Sequence, residues 1–325
     1  MTMKELAKLC NVSVSTVSKA FSNTEDISSD TKKLIFETAK KEGCYGKFYK
    51  HKYPKRIIAI ICPEIASNYY SIFIEELQRL IESDNGICVI SSYNFCSEKK
   101  YELIEYYSSY ITVDGIIVLG SVENLKKGCD VPIVSLFSDK CNFVDSVSTD
   151  IEFAINEAVE TLNSYGHKKI AFIGEPLTES KALYFKNSTK NKCNNEFIII
   201  QSDQRFEKAG VDGVRHLLSK SQDFTAIICA YDNIAFGAIK ELKTRGFKVP
   251  EDISVIGIDN ICSSEFTETS LTSIDTKPSD ICTLAWDLLC KKLKNKYFRI
   301  NQSIDVKPQL IIRESIANLR KRSSV

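Results

Sequence analysis

The chain contains 325 residues, of which 43% are hydrophobic and 26% are charged. These proportions are typical of globular proteins and exclude the disordered, collagenous and fibrous classes, while the length predicts two or three domains. No apolar run is long enough to cross a membrane, and the N-terminus lacks the profile of a signal peptide. We therefore expect a soluble cytoplasmic protein without a membrane partner.

Charge is distributed unevenly along the chain, although the net charge is only +1. The first 56 residues carry twelve Lys and Arg against six Asp and Glu, whereas the remaining 269 residues carry 31 and 36. A basic N-terminal module joined to a mildly acidic body is typical of a protein that reads a polyanion through one end. A basic surface that has no such partner is the alternative.

The cysteines and histidines indicate neither a disulfide framework nor a metal site. The closest pairs among the twelve cysteines are eight residues apart, and the three histidines are far from one another in sequence. The cysteines are therefore expected to be small buried hydrophobic residues, and no metal is expected.

Three short helices are predicted in the first 43 residues. Thr2 and Glu5 form a capping box at the start of the first helix. Ser13 can cap a second helix after a short turn, and Ser28 or Ser29 can cap a third. The residues expected to face the core that these helices share are Leu6, Ala7, Leu9, Val17, Ala20, Phe21, Leu34, Ile35, Thr38 and Ala39.

From residue 57 onward, short apolar runs alternate with amphipathic stretches, a pattern typical of βαβ units around a parallel sheet. Strands are predicted at 57–62, 87–91, 115–119, 133–136, 170–173, 197–200, 226–229, 254–258 and 310–312. Helices are predicted at about 70–84, 98–110, 151–165, 178–190, 207–219, 233–245 and 278–294. Since the pattern restarts at residue 151, two α/β lobes of similar size are expected.

The first two helices could read DNA, because a helix fits the major groove and its N-terminal side chains reach base edges. Val14 can contact a thymine methyl group, Ser15 can hydrogen-bond to either base type, and Lys19 can reach a guanine edge. The small hydroxyl residues that suit phosphate oxygens are Ser13, Thr16 and Ser18. Such helix pairs also occur in proteins that touch no DNA, so their geometry alone leaves both interpretations open.

Sequence motifs that occur together in one family run along most of the chain. The N-terminal pattern Ala-x-x-x-x-Val-Ser-x-x-Thr-Val-Ser begins at Ala7. Matching stretches in the body are 114–117, 166–174, 232–238, 246–259, 271–274 and 310–315. Through these motifs the sequence resembles the lac repressor (LacI/GalR) family of bacterial transcription regulators.

The resemblance implies a fold, partners and a function. The fold would be an all-α helix-turn-helix headpiece followed by an α/β, periplasmic-binding-protein-like core of two doubly wound parallel-sheet lobes. The function would be that of a transcriptional repressor, a homodimer that binds a double-stranded DNA operator and holds a small-molecule effector, sugar or nucleobase-like, between its lobes. A twofold dimer is also expected because one small module reads few base pairs.

Roles of individual residues follow from the same resemblance. The positions that match base-reading residues are Val14, Ser15 and Lys19. Those that match residues positioned on the DNA backbone are Thr2, Ser13, Thr16, Ser18, Ser28 and Thr31. The positions that match effector-contacting residues are Tyr69, Tyr70, Lys181, Tyr231, Asp232 and Asp259. Asp232 and Asp259 each follow a predicted strand, where ligands of open α/β sheets gather, and the alternative role of both is to cap the following helices.

Three positions of the expected pocket depart from the family pattern. Lys181 stands where the family usually has Arg, and so lacks a bidentate fork. Tyr184 stands where the family prefers Gly, and Tyr231 stands where it has an effector-binding Asn. These changes are expected to narrow and repolarise the pocket.

The linker departs from the family pattern most. The predicted domains are a DNA-binding domain at 1–46, a linker at 47–56 and a two-lobed domain for effector binding and dimerisation at 57–325. The family's hinge motif is absent, and its positions hold Gly46-Lys47, Lys50-His51 and Tyr53. We expect this segment to act as an electrostatic tether along the phosphate backbone rather than as a minor-groove wedge.

Other classes of function remain as alternatives. An enzyme is disfavoured because no Gly-rich phosphate loop, Gly-x-Ser-x-Gly elbow or His-Glu-x-x-His motif occurs, and no cofactor is expected. A stand-alone small-molecule sensor would need the two lobes but not the N-terminal helices. An activator of the same family is equally compatible with the sequence.

Overall fold

The structure, a computed structural model, describes most of the chain. The described residues are 1–22, 26–49, 56–111, 113–123, 125, 131–137, 143–190, 196–295 and 300–322. They fall into two compact units, Met1–Ile57 with Asn85–Ile87, and Ile58–Asp84 with Cys88–Val325. Within the described residues, no helix is long and apolar enough to cross a membrane.

The N-terminal unit, here called the headpiece, contains four helices in its described part. They are α1 (Met3–Leu9), α2 (Val14–Ser22), α3 (Ser29–Lys41) and α4 (Tyr45–Tyr49). The predicted capping box at α1 is confirmed, since the Glu5 amide donates to Thr2 and the Thr2 amide donates to Glu5. Ser13 and Ser28 accept hydrogen bonds from the amides of Thr16 and Thr31, which confirms both predicted caps.

The headpiece core is formed by one face of each helix, and two predicted core residues do not belong to it. Leu9 is 57% exposed and Leu34 is 49% exposed, whereas Cys10 is buried. At about 100° per residue, Leu9 is rotated away from the face that Leu6 and Cys10 share. Apolar character alone therefore gave the wrong assignment at both positions.

Helix α4 corrects the predicted start of the linker. The boundary expected between residues 46 and 47 falls inside this helix, and Phe48 is only 5% exposed. The ring centroid of Phe48 lies 5.6 Å from that of Phe21, and Tyr45 makes edge contacts with Phe21 and Phe36. These aromatic contacts make α4 part of the headpiece core. Residues 50–55, which include the expected tether positions Lys50, His51, Lys52 and Tyr53, lie outside the described residues.

Twelve strands are described in the body of the chain. They are β1 (Ile57–Cys62), β2 (Ile87–Ser92), β3 (Gly115–Leu119), β4 (Ile133–Leu136), β5 (Asp145–Thr149), β6 (Lys169–Gly174), β7 (Glu196–Gln201), β8 (Ala226–Cys229), β9 (Ser254–Ile258), β10 (Thr272–Asp275), β11 (Ser303–Val306) and β12 (Gln309–Ile311). All nine predicted strands are present. The sequence did not predict β5, β10 or β11, because these strands are rich in Ser, Thr and Asp rather than in apolar residues.

The helices of the body confirm the predicted series, with ends that differ by a few residues. They are α5 (Asn68–Ser83), α6 (Ser97–Glu105), α7 (Ile151–Ser164), α8 (Glu179–Ser188), α9 (Phe206–Lys220), α10 (Asp232–Thr244), α11 (Pro278–Lys294) and the short α12 (Leu319–Arg322). A π-helical turn, Tyr106–Tyr110, follows α6. Pro278 at the first position of α11 suits a helix start, where its missing N–H is not needed.

The strands form two six-stranded sheets, and each sheet is the centre of one lobe. The first lobe has the strand order β11-β5-β4-β3-β1-β2, and the second has β12-β10-β9-β8-β6-β7. The pairings β1/β3, β3/β4, β6/β8 and β8/β9 are parallel, while β12 runs antiparallel to β10. The prediction of two lobes, each built around a largely parallel sheet, is therefore confirmed.

The chain passes between the two lobes three times. It leaves the first lobe after β5, returns to it with α11 after β10, and enters the second lobe again with β12. Helix α11 buries Ile281, Ala285 and Leu289 in the core of the first lobe. Because the carboxyl ends of parallel strands meet at one edge of a sheet, this topology brings the loops that follow the strands of both lobes to a common cleft.

Candidate functional site: an exposed recognition helix and an interlobe cavity

One face of α2 is exposed to solvent in the headpiece. Val17, Ala20 and Phe21 point into the core, whereas Val14 is 46% exposed and Ser15, Ser18 and Lys19 are exposed. The Lys19 ammonium lies 3.4 Å from the Asp26 carboxylate in an exposed ion pair, which contributes little stability in water. The structure thus brings the predicted base-reading residues together on one accessible helical face.

Five of the six predicted phosphate-contacting hydroxyl groups lie at helix N-termini, whereas the sixth, that of Ser18, is exposed further along α2. Ser13 and Thr16 are joined by a 2.8 Å hydrogen bond at the start of α2, and Ser28 and Thr31 by a 2.9 Å bond at the start of α3. Thr2 caps α1. The free N–H groups and the dipole of a helix N-terminus favour a phosphate there, so this placement fits contact with a nucleic-acid backbone.

A cavity of about 900 Å³ lies between the two lobes. Five of the six predicted effector-contacting residues line it: Tyr69 and Tyr70 from α5, Lys181 from α8, Tyr231 after β8 and Asp259 after β9. Tyr184, at a position where the family prefers Gly, also lines it. Within the described residues, no group of His, Cys, Asp and Glu could hold a metal ion.

Asp259 presents a buried carboxylate to this cavity. Its φ of 107° is unusual for a residue with a side chain, and the described residues offer its carboxylate no hydrogen bond. Burial raises the pKa of the Asp259 carboxyl, while the nearby Lys181 ammonium opposes this shift. Lys181 itself donates to the Ala230 carbonyl over 2.7 Å. A buried carboxyl group beside a cation can form hydrogen bonds with the hydroxyl and N–H groups of a polar ligand.

Asp232 does not line the cavity, and the structure corrects its predicted role. The side chain is fully buried, and its carboxylate accepts hydrogen bonds from the Ile261 amide (2.9 Å) and from the hydroxyl groups of Ser264 (2.6 Å) and Ser273 (2.5 Å). Nor does it cap α10, which was the alternative. Asp232 instead holds Ile261 and Ser264, in the segment that directly follows Asp259.

The space for the Asp232 carboxylate comes from a glycine in β9. A Cβ at Gly257 would collide with the carboxylate oxygen Oδ1. Burial raises the pKa of Asp232 to about 6, although its three hydrogen bonds oppose the shift. The carboxylate is thus held inside the protein by its partners rather than by solvent.

The residues that sequence reasoning missed lie on both sides of the cleft. Arg205, just before α9, donates two hydrogen bonds to Glu64, from Nη1 to Oε2 (2.8 Å) and from Nη2 to Oε1 (2.9 Å). Glu64 follows β1 in the first lobe, and Glu175 follows β6 in the second. Their positions after strands were a signal available in the sequence. The pairing with Arg205 was not, because 141 residues separate Arg205 from Glu64.

Tyrosine hydroxyl groups and one lysine complete the polar lining. Burial raises the pKa of Tyr93 to about 12 and also raises the pKa values of Tyr69, Tyr70 and Tyr231, so these phenols remain neutral donors. Lys100 donates to the Ser121 carbonyl over 2.6 Å. The cavity therefore combines aromatic faces with neutral and charged hydrogen-bonding groups.

Parts of both units of the chain match known protein domains. Residues 2–43 match the family described as "Bacterial regulatory proteins, lacI family", and residues 159–316 match the periplasmic binding protein-like domain. Catabolite control protein A of Priestia megaterium is 27% identical over 91% of this chain and 93% of its own length. The HTH-type transcriptional repressor CytR of Escherichia coli strain K12 is 27% identical over 91% of both chains.

A solved structure shows the same fold. The lac repressor dimer bound to operator and the anti-inducer ONPF aligns with a TM-score of 0.74 and 19% identity, over 98% of this chain and 99% of that one. The likeness covers the N-terminal helices as well as the two lobes.

Proposed function

Because this chain belongs to the lacI family of bacterial regulatory proteins, we propose that it is a transcriptional repressor whose affinity for operator DNA is set by a small molecule bound between its lobes. The observation that carries this proposal is the exposed face of α2 in a headpiece that matches the family over residues 2–43. Val14, Ser15 and Lys19 read base edges, and Thr2, Ser13, Thr16, Ser18, Ser28 and Thr31 contact the DNA backbone.

The cavity is the effector site. A volume of about 900 Å³ lies within the usual range for small-molecule pockets. Asp259, Lys181 and the phenols of Tyr69, Tyr70 and Tyr231 offer the acceptors and donors that a sugar or a nucleobase-like molecule requires. The protein acts in the cytoplasm. It acts as a homodimer, because two headpieces together cover two half-sites about one helical turn apart.

Two alternatives predict different results in the same assay. A stand-alone sensor would bind a small molecule and would show no preference for any DNA sequence. An activator would bind an operator but would raise transcription from it. Selection of bound fragments from the source genome, followed by transcription from those fragments with and without the protein, separates these functions from repression.

Lys19→Ala tests the recognition helix. We expect specific operator binding to weaken by roughly 1–3 kcal/mol, because a base-edge donor is lost, while binding to scrambled DNA falls only slightly. Titration of both DNAs measures this difference. Lys33→Ala, an exposed lysine of α3, is the control and should not change specificity. Equal losses on both DNAs would mean that Lys19 contacts only phosphate.

Asp259→Asn tests the buried carboxylate of the cavity. Because burial raises the pKa of Asp259, the Asp259 carboxyl keeps its proton to a higher pH in the folded state than in the unfolded state. The free energy of unfolding therefore falls as the pH rises and this carboxyl ionises. We expect the wild-type chain to lose about 1–3 kcal/mol between about pH 6.5 and pH 8.5, and the variant to lose less. Urea unfolding at both pH values measures this.

The exposed Asp305, at the rim of the same cavity, gives the control. Asp305→Asn should retain the pH dependence of stability seen in the wild-type chain. If Asp259→Asn retained it as well, the Asp259 carboxylate would titrate as an exposed group, and its assignment to the buried wall of the effector site would be wrong.

A further inference from the structure

Arg205 connects the two lobes through its charge. Its guanidinium belongs to the second lobe and forms the bidentate pair with Glu64 of the first lobe, at 2.8 and 2.9 Å. Its Nε atom also lies 3.5 Å from Oε1 of Glu175 in the second lobe. Bidentate arginine–carboxylate pairs are among the strongest hydrogen-bonded contacts in proteins, because two charge-assisted bonds act together.

Two aromatic rings contact the same guanidinium. Its carbon atom lies 4.5 Å from the ring centroid of Phe206 and 5.3 Å from that of Phe95. Phe95 belongs to the first lobe and Phe206 to the second. Both distances are within the range at which a cation is attracted to an aromatic face. Each lobe therefore contributes one carboxylate and one ring.

The carboxylates around Arg205 carry more negative charge than this one cation neutralises. The Glu64 side chain is 15% exposed and the Glu175 side chain 2% exposed. The second oxygen of Glu175, Oε2, is buried and has no hydrogen-bond partner among the described residues. Glu175 also lines the cavity. A buried acceptor without a donor beside a single shared cation indicates a site suited to a further donor or to another cation.

We propose that Glu64, Glu175, Phe95 and Phe206 form a cation-binding site across the cleft, which Arg205 fills in this structure and which a small molecule bearing a guanidinium or ammonium group can occupy in its place. This site lies at one end of the cavity and rests on the proposed effector-binding function, to which it adds the chemical class of a ligand. Occupation by Arg205 holds the lobes together, and displacement of Arg205 breaks their bidentate link.

The charge of the ligand follows from the cost of removing Arg205. A neutral ligand that displaced the guanidinium would leave two largely buried carboxylates without a cation, and an uncompensated buried charge is strongly destabilising. A cationic ligand replaces both the charge and the contact with the rings. Ligands at this end of the cleft are therefore cations.

Arg205→Ala tests the site with a pair of probes that have the same shape and differ in charge, methylguanidinium and methylurea. In calorimetric titrations of the full chain, we expect methylguanidinium to bind Arg205→Ala with a Kd at least tenfold lower than that of the wild-type chain, in which Arg205 competes. Methylurea should bind both weakly. The double variant Arg205→Ala with Glu64→Gln should lose the gain, because one carboxylate of the site is then neutral.

Arg215→Ala is the matched control. Arg215 also forms two hydrogen bonds to one carboxylate, that of Glu241, but both residues lie in the second lobe and Arg245 also pairs with Glu241. This variant should not gain affinity for methylguanidinium. Arg205→Gln, which retains a polar side chain of similar reach, repeats the test if Arg205→Ala does not fold.

Equal binding of methylguanidinium to the wild-type chain and both Arg205 variants would overturn the proposal, as would equal binding of methylguanidinium and methylurea. Operator titration of the wild-type chain is a separate measurement. Failure there, with the expected probe results, would contradict the proposed repressor function and leave the cation site standing.

Discussion

Replacing Phe48 by alanine is expected to unfold the headpiece and abolish operator binding. Phe48 is buried against Phe21 in α4, and truncation of a buried phenylalanine to alanine costs about 3–5 kcal/mol. A unit of about 60 residues has a small core and little stability to spare. The loss is therefore comparable to the entire stability expected of the headpiece.

Circular dichroism during thermal unfolding, together with operator titration, measures this effect. Leu34→Ala in α3 is the control, because Leu34 is an apolar residue that is 49% exposed, and it should leave the transition of the headpiece in place. In both variants, the two lobes should unfold at the temperature at which they unfold in the wild-type chain. A Phe48→Ala variant with an unchanged headpiece and full operator affinity would restore residues 47–49 to the linker predicted from the sequence.

Replacing Asp232 by alanine is expected to destabilise the second lobe by about 3–5 kcal/mol, since each buried donor left without a partner costs about 1–3 kcal/mol. The Ile261 amide and the hydroxyl groups of Ser264 and Ser273 all lose their acceptor. Because these bonds fix the segment that follows Asp259, the variant should also lose its response to the effector. Urea unfolding measures the first effect.

Asp232→Asn separates the hydrogen bonds from the charge. The amide oxygen can still accept from the Ile261 amide and from Ser264, and the Ser273 hydroxyl can accept from the new amide group, so we expect a smaller loss than with alanine. Since burial raises the pKa of Asp232 to about 6, wild-type stability should fall as pH rises from about 4 to about 6. This dependence should be smaller in Asp232→Asn, which retains the contribution of Asp259. A loss as large as that of alanine would show that the carboxylate charge itself is required.

Local chemistry determined the features that the sequence predicted correctly. The capping box of Thr2 and Glu5 and the caps at Ser13 and Ser28 depend on residues three apart, and an apolar run such as 115–119 forms a strand because it is buried on both faces of a parallel sheet. The two-lobed fold followed from the order of these elements. Residues after strands, such as Asp259, were expected in the cleft because strand ends collect ligands.

Features that depend on contacts between distant parts of the chain were decided only by the tertiary structure. Asp232 and Asp259 both follow strands, yet one is enclosed by Ser264 and Ser273 while the other faces the cavity. Nothing local distinguishes them, since the difference lies in the groups packed opposite each carboxylate. The strand β5, rich in Ser and Thr, pairs with β4 and with β11, which lies about 155 residues further along the chain, and Lys292 lies 2.8 Å from its buried Asp145 carboxylate. Arg205 gains its role only because folding brings Glu64 from the other lobe to within hydrogen-bonding distance.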